Sequence, residues 1–290
     1  MTCSRWWVGV AVAAIASLAP VQAQAFVRSV VRGTEICLFW NDREIPWSLN
    51  EKGSADLSLD EVDEALRRSF ATWEAVDCSD MRFAEAGTTA AAGVGFSDDG
   101  ENLVVFRTTR CSDVVDESDP CWDDFSCSNL HGCWAFGDGV IAVTTTSYRE
   151  DTGEIVDADI EFNDARYLFT TASGRLCERG QTEGCISTDL QNTATHEIGH
   201  LLGIDHSPVA GSTMYASAPQ GETSKRSLAR DDIDAICTIY PLGQPPNVCE
   251  DAYGLRRNDG GGCNCGQADG LALLGLLPAL ARVLRRRPRG

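Results

Sequence analysis

The sequence predicts an α+β domain, because it mixes segments with two different hydrophobic periods. Val62, Leu66, Phe70 and Trp73 follow one another at spacings of four, four and three residues, which places them on one face of a helix. Within residues 153–162, apolar and acidic residues alternate from Val156 to Phe162, which is typical of a strand. The body between the two unusual chain ends has about 240 residues, enough for one domain with a substantial core.

Local signals place the elements of the first half. Ser58 and Glu61 have the spacing of a capping box and begin the first helix. Strands are predicted at Cys37 to Trp47, Gly93 to Phe96 and Leu103 to Thr108, with turns at Ser48 to Ser54 and Ser97 to Gly100.

The second half begins with two predicted strands, Gly139 to Thr146 and Gly153 to Phe162, joined by a turn. A helix is predicted to begin at Thr188, which is a suitable N-cap. Its buried face comprises Leu190, Ala194, Ile198, Leu201 and Leu202. A last helix is predicted from Leu228 to Tyr240, with two acids in its first turn and Pro241 at its end.

The first 25 residues read as an export signal. They carry Arg5, an apolar run from Trp6 to Leu18, and small residues that allow cleavage after Ala23 or Ala25. The apolar run is too short to make a good membrane span. The protein is therefore expected to be secreted or carried to the cell surface.

The chain end, residues 263–290, has three parts: Cys263 and Cys265 in a glycine-rich segment, an apolar stretch from Leu271 to Leu284, and an arginine cluster. This arrangement resembles the C-terminal sorting signal of exported myxobacterial proteins. The resemblance implies transient membrane retention through the tail, with processing near one of the two cysteines. The alternative is an amphipathic helix packed on the domain. Residues 242–262, rich in proline, glycine and asparagine, read as a linker.

Twelve of the thirteen cysteines lie beyond the signal segment, and an even number in an oxidising compartment predicts disulfides. We expect Cys177 to pair with Cys185 and Cys37 to pair with Cys78. Two further pairs are expected within a cysteine-rich insertion, residues 111–133, among Cys111, Cys121, Cys127 and Cys133. The alternative for these four is a zinc cluster, which the missing Cys-x2-Cys spacing disfavours.

The body is strongly acidic. The formal net charge is -19, and without residues 1–25 and 266–290 there are 18 basic and 42 acidic residues, a net charge of -24. This balance argues against binding to nucleic acid. It indicates a solvated acidic surface, with cation binding or attraction to basic substrates as alternatives.

The run HEIGHLLGIDH begins at His196 and holds three of the four histidines in the chain. His196 and His200 are four residues apart, so on a helix their imidazoles converge on one point. Gly203 lets the backbone leave the helix so that His206 returns as a third ligand. Three ligands leave a fourth position open, as in catalytic zinc sites, and Glu197 is placed to act as a general base. Histidines used only for packing or solubility would not need this spacing.

Three carboxylates share one face of the strand predicted at Gly153 to Phe162. Asp157, Asp159 and Glu161 would repel one another unless a cation lay among them, which makes a calcium site one hypothesis. Ordinary solvated acids are the other.

Residues after the third histidine carry a family resemblance. HEIGHLLGIDHS followed by STMY, with Met214 as its methionine, resembles the zinc motif and Met-turn of metzincin peptidases. Ser207 and Tyr215 resemble the matrixin pattern, whereas astacins and serralysins have a tyrosine where this chain has Ala216. Segments 70–73, 159–163 and 231–233 also resemble secreted bacterial matrixin-like domains, so the resemblance spans residues 35–241.

The resemblance implies a twisted, mostly parallel sheet with an antiparallel edge strand and three main helices. Met214 would form an apolar floor under a single zinc, although a methionine also serves as an ordinary core filler. Animal matrixins have a propeptide cysteine switch, and no such motif is found between the signal segment and Cys37. They also hold a second, structural zinc largely with histidines, and only His131 is spare here.

These observations predict a secreted, monomeric zinc endopeptidase that acts on proteins or peptides. Glu197 would take a proton from the attacking water and pass it to the leaving amine. The substrate would pair with the edge strand, and a pocket near Met214 to Ala218 would read its side chains. The edge-strand residues are Gly139, Val140, Ile141, Ala142, Val143 and Thr144. The alternatives are a non-catalytic surface or adhesion module that binds metal, and a zinc hydrolase acting on a non-peptide bond.

Overall fold

The computed structural model contains both helices and strands. It describes residues 26–95 and 101–249 in full and residues 263–272 as backbone. The strands are β1 (Val27–Arg28), β2 (Glu44–Asn50), β3 (Arg82–Thr89), β4 (Leu103–Phe106), β5 (Val140–Arg149), β6 (Ile155–Phe162), β7 (Phe169–Thr170), β8 (Thr188–Asp189), β9 (Ile204–Asp205) and β10 (Cys263–Ala272). The helices are α1 (Leu59–Glu74), α2 (Cys111–Val114), α3 (Cys127–His131), α4 (Leu190–Leu201) and α5 (Arg230–Ile239).

The main sheet has the order β10-β5-β6-β4-β2-β3. β3, β2, β4 and β6 are parallel to one another, and β5 is antiparallel to β6. The predicted mixed sheet, mostly parallel with an antiparallel edge strand, is therefore confirmed for the five strands from β3 to β5, and β10 adds a sixth strand outside β5. The three long helices α1, α4 and α5 are also as expected, and their buried faces join the sheet in one apolar core.

Helix α1 forms as its local signals predict. Ser58 accepts a hydrogen bond from the backbone N–H of Glu61, and the Glu61 carboxylate accepts one from the backbone N–H of Ser58. The predicted apolar stripe is fully buried, with Phe70 stacked on Trp47 at 4.6 Å between ring centroids. The indole of Trp73 donates to the carbonyl of Thr195 at 2.9 Å, which ties α1 to α4.

Some element boundaries differ from the prediction. The strand expected at Cys37 to Trp47 begins only at Glu44, because Cys37 and Phe39 make single bridges to other segments. Residues 93–95 form no strand, since the backbone N–H of Val94 donates instead to the side chain of Asn129. The N-cap of α4 is Asp189 rather than Thr188, and α5 begins at residue 230 rather than 228.

Five disulfides lie within the described residues. The predicted bond between Cys177 and Cys185 is confirmed, and so are two bonds within the insertion, Cys111–Cys133 and Cys121–Cys127. The predicted pair Cys37–Cys78 is wrong, because Cys37 pairs with Cys249 and Cys78 with Cys237. The folded chain brings both residues to partners near its C-terminal end, which proximity in sequence could not indicate.

The terminal signals lie largely outside the described residues. Residues 1–25 and the apolar stretch of the tail beyond Ala272 are not described. Among the described helices, none combines the length and apolar character that a bilayer span requires.

Candidate active site

Helix α4 presents the first two histidines of the zinc motif. Its N-cap Asp189 accepts a hydrogen bond from the backbone N–H of Asn192 at 2.7 Å. His196 and His200 lie one turn apart and are buried. The helix ends at Leu201, and the chain then turns at Gly203, whose φ of +81° and close approach to the carbonyl of Leu38 leave no room for a side chain.

The three histidines meet at their Nε2 atoms. These atoms lie 3.2 Å apart between His196 and His200, 3.2 Å between His196 and His206, and 3.3 Å between His200 and His206. The structure therefore brings together all three ligands predicted from the sequence.

The other ring nitrogens fix the orientation of two of these imidazoles. Nδ1 of His196 lies 2.6 Å from the carbonyl oxygen of Thr213, and Nδ1 of His200 lies 2.8 Å from that of Ile204. A carbonyl accepts only, so each Nδ1 carries the proton and each Nε2 of this pair turns its lone pair to the common point. The short Nε2–Nε2 distance between them is thus not a hydrogen bond.

Burial keeps the imidazoles neutral. Desolvation lowers the pKa of His196 well below its usual value, and the positive charge of Lys225 acts in the same direction. Desolvation also lowers the pKa of His200 to about 4, against the opposing effect of Asp205. A neutral imidazole is the form that binds a metal ion.

This donor set fits zinc. Zn–N distances of about 2.0–2.1 Å in a tetrahedral site place ligand nitrogens about 3.3 Å apart, which agrees with the observed triangle. The lone pairs that His196 and His200 turn towards each other at Nε2 also favour a cation at the common point. The group formed by His196, His200 and His206 is therefore suited to a zinc ion.

Glu197 lies beside this triangle and is buried. Its Oε2 accepts a hydrogen bond of 2.8 Å from the hydroxyl of Thr144, which also lies 3.1 Å from the backbone carbonyl of Glu197. Thr144 belongs to β5, so the strand expected to bind substrate also orients the carboxylate expected to act as base.

Met214 lies below α4, where it is buried against Gly199. A Cβ on Gly199 would overlap the Met214 sulfur, so the glycine within the HEIGH run is required for this packing. The backbone N–H of Ser207 donates to the carbonyl of Met214 at 2.8 Å and fixes the loop between them. Met214 thus packs against the helix that carries His196 and His200.

Asp232 holds this turn in place. Its Oδ2 accepts from the backbone N–H of Thr213 at 2.7 Å and its Oδ1 from that of Met214 at 3.1 Å. Since Thr213 offers its carbonyl to His196, the chain of contacts runs from α5 to a metal-binding imidazole. The neighbouring Asp231 accepts from the hydroxyl of Ser207 at 2.6 Å.

Lys225 is a buried cation that the sequence analysis missed. Its ammonium donates to the carbonyl of Tyr215, and its backbone N–H donates to the side chain of Asn192 at 2.9 Å. Desolvation lowers the pKa of Lys225 to about 8, while Glu222 and Glu197 oppose that shift. Nothing in the polar segment around it signals burial, because a lysine there reads as an exposed loop residue.

A cavity of about 550 Å³ lies between α4, the start of β5 and the segment after Met214. Thr193, one turn before His196, lines it, as do Ile141 of β5 and Ala218. It therefore lies where the sequence predicts a pocket for substrate side chains.

The acidic residues of β6 do not form the solvated face that their alternation suggests. Asp157, Asp159 and Glu161 are all buried. Asp159 accepts from the backbone N–H groups of residues 95 and 103, and Glu161 forms a 2.6 Å ion pair with the buried Arg107. Within the part of the chain that the structure describes, the oxygens of these three acids do not converge on one point. The geometry therefore gives the calcium hypothesis no support.

A second group of potential ligands lies in the insertion. Asp119, Cys121 and His131 have their ligand atoms within 4.8 Å of one another. Cys121 is bonded to Cys127, so its sulfur is not a thiolate and the group lacks the ligand that would make it a zinc site.

The outer side of β5 is occupied in the structure. β10 pairs with it antiparallel, with residue 263 opposite Arg149 and residue 272 opposite Val140. The predicted substrate strand, residues 139–144, therefore lies at a place that accepts an extended antiparallel segment, which here is supplied by the chain itself.

Comparison with known proteins agrees with this geometry. Residues 130–241 match the family model described as matrixin. Metalloendoproteinase 1-MMP of Arabidopsis thaliana is 24% identical over 213 residues, 69% of this chain and 44% of that protein. Metalloendoproteinase 1 of Glycine max is 52% identical over 74 residues, 26% of this chain and 23% of that protein. Human neutrophil collagenase is 49% identical over 53 residues, 18% of this chain and 11% of that protein.

The chain spans less than half the length of these relatives. The matched residues include strands β5 and β6 of the main sheet, α4 with its histidines, the Met214 turn and α5. By its sequence and by the convergence of its three histidines, this part of the chain resembles a matrixin domain.

Proposed function

We propose that the chain is an exported zinc endopeptidase. The observation that carries the proposal is the triangle of three Nε2 atoms, 3.2–3.3 Å on each side, next to the carboxylate of Glu197. A metal-binding module needs the triangle but has no use for a buried general base beside it. The relatives, named as metalloendoproteinases and a collagenase, support the same reading.

His196, His200 and His206 would hold the metal through Nε2. When bound there, zinc acidifies a water molecule and polarises the scissile carbonyl. Glu197 accepts the proton of the attacking water and then delivers it to the leaving amine. The Thr144 hydroxyl holds Oε2 of Glu197 during both transfers.

The substrate would lie antiparallel along β5, at residues 139–144, and bond through its backbone. The pairing of β10 with this strand supports the proposal, because it demonstrates that the strand can pair on that side. Pairing through the backbone suits cleavage within a chain. Substrate must then replace β10, either by competition or after removal of the tail.

The same proposal includes export through residues 1–25, transient retention at the membrane through residues 263–290, and a monomeric state. The five disulfides among the described residues support an oxidising compartment. A calcium ion at Asp157, Asp159 and Glu161 is not included, because Arg107 already compensates Glu161.

The test uses the exported protein with casein as substrate. We expect one zinc per chain by metal analysis, internal cleavage of casein seen by mass spectrometry, and loss of both on chelation, restored by zinc. Zinc binding without any cleavage would instead support the non-catalytic surface module, and hydrolysis of only non-peptide bonds would support the other hydrolase.

A further inference from the structure

The cavity beside α4 lies on a defined side of the bond to be cleaved. Thr144 is level with Glu197, because the two side chains are hydrogen bonded. The cavity is lined by Gly139 and Ile141, which precede Thr144 on the chain. A peptide antiparallel to β5 runs from Arg149 towards Val140, as β10 does. Its residues near the cavity therefore follow the cleaved bond.

The cavity has apolar walls. Ile141, Leu168 and Ala218 contribute carbon surface from three separate segments. Such walls suit the methylene stem of a long side chain, whose polar end must then find a partner within the cavity.

Glu222 is the carboxylate suited to be that partner. Its Oε1 accepts from the hydroxyl of Ser224 at 2.7 Å. Its Oε2 is buried and accepts no hydrogen bond within the described part of the chain. A buried carboxylate oxygen without a donor is costly. Because Glu222 lines the cavity, a rotation of its side chain towards the cavity would let an ammonium or guanidinium group supply that donor.

The remaining charges of the lining are already engaged or lie at the mouth. Asp189 caps α4 and forms an ion pair with Arg226. Asp138 has a side chain that is 62% exposed and lies 3.7 Å from Arg110, and Arg166 is exposed. The nearby ammonium of Lys225 donates to the carbonyl of Tyr215, and its charge also interacts with that of Glu222.

We propose that this cavity selects substrates with lysine or arginine as the first residue after the cleaved bond, and that Glu222 recognises the cation. The inference rests on the proposed endopeptidase function and specifies its substrate class. The strong negative charge of the body acts in the same direction, because it attracts basic segments of a substrate.

The experiment measures kcat/KM on peptides that differ only in the first residue after the cleaved bond, with lysine, arginine, leucine or glutamate there. Wild-type protein is expected to prefer lysine over glutamate at least tenfold. Glu222→Gln should reduce the ratio of lysine to leucine at least fivefold, and Glu222→Lys should move the preference towards glutamate. Zinc content and circular dichroism establish that each variant is folded.

Glu183→Gln is the matched control, because Glu183 is an exposed acid of a neighbouring loop, and it should leave the ratio unchanged. Asp138→Asn tests the carboxylate at the mouth. A wild-type preference for leucine, or a lysine preference that survives in Glu222→Gln, overturns the inference while the endopeptidase function stands. A loss of lysine preference in Asp138→Asn alone overturns the assignment to Glu222. Absence of cleavage for every peptide overturns both.

Discussion

The hydroxyl of Thr144 donates to Oε2 of Glu197 across 2.8 Å, and this contact joins β5, the proposed substrate strand, to the proposed general base. A substrate that pairs with β5 is thereby placed against a carboxylate whose orientation the same strand fixes. Binding and proton transfer are coupled through one side chain. The consequences for activity are measurable.

Replacing Thr144 by valine removes the donor while keeping the shape of the side chain. Because a hydrogen bond to a charged group contributes about 1.5–3 kcal/mol, we expect kcat to fall at least about tenfold, with KM little changed. Thr144→Ser keeps the hydroxyl and should retain most of the activity. A valine variant with kcat within twofold of wild type would show that the contact does not orient Glu197.

Asp232→Asn should loosen the Met214 turn. The carboxylate accepts from three backbone N–H groups, those of Thr213, Met214 and Ala229, and an amide has only one oxygen to offer them. Leaving a buried N–H without an acceptor costs about 1–3 kcal/mol. Thermal or urea unfolding should report that loss, together with weaker zinc binding.

The control for this variant is Asp234→Asn on the same helix. Asp234 pairs with the exposed Arg230, and such surface pairs contribute well under about 1 kcal/mol. Equal loss of stability in the two variants would contradict the role assigned to Asp232.

Lys225 predicts a pH dependence of stability. Burial lowers its pKa in the folded protein to about 8, below the usual lysine pKa of about 10.4, so the unfolded chain binds more protons between these values. The free energy of unfolding should therefore rise from pH 8 to pH 9.5, by about 1–2 kcal/mol. Urea denaturation at the two pH values measures the rise.

Lys225→Met should abolish this rise, because the side chain that titrates is gone. Lys52→Met is the comparison, since Lys52 is exposed and is the other lysine of the chain. If the free energy of unfolding still rises with pH in Lys225→Met, a group other than Lys225 is responsible for the rise.

Removal of β10 should expose the outer side of β5. A chain that ends at Cys249 keeps all five disulfides of the described residues, and we expect it to cleave peptides with a KM several-fold lower and a similar kcat. Gly270→Pro in the full chain places a proline opposite Val143 within the β10 pairing, where it should weaken that pairing and likewise lower KM. An unchanged KM in both would contradict substrate binding at this strand.

Local patterns predict the parts of the fold and site that depend on short spacings. The capping box at Ser58, the helix that carries His196 and the strand pair ending at Phe162 follow from residues close in sequence. The Nε2 triangle likewise follows from a run of eleven residues.

Long-range contacts explain what the sequence did not predict. Cys37 finds Cys249 rather than Cys78, because only the folded sheet and α5 decide which thiols meet. The alternation in β6 predicts a solvated acidic face, yet these acids are buried. Arg107 and backbone N–H groups compensate them there. Asp232 reads as an acid placed for the helix dipole, although its main partners lie 18 and 19 residues earlier.

The most direct test of the account concerns Glu197. Glu197→Gln keeps the size of the side chain and its acceptor for Thr144, and removes the ability to take up a proton. Zinc content and casein cleavage are measured on the same samples as wild type. The account predicts one zinc per chain and a loss of kcat of at least about a hundredfold. Undiminished cleavage at equal zinc content would contradict it.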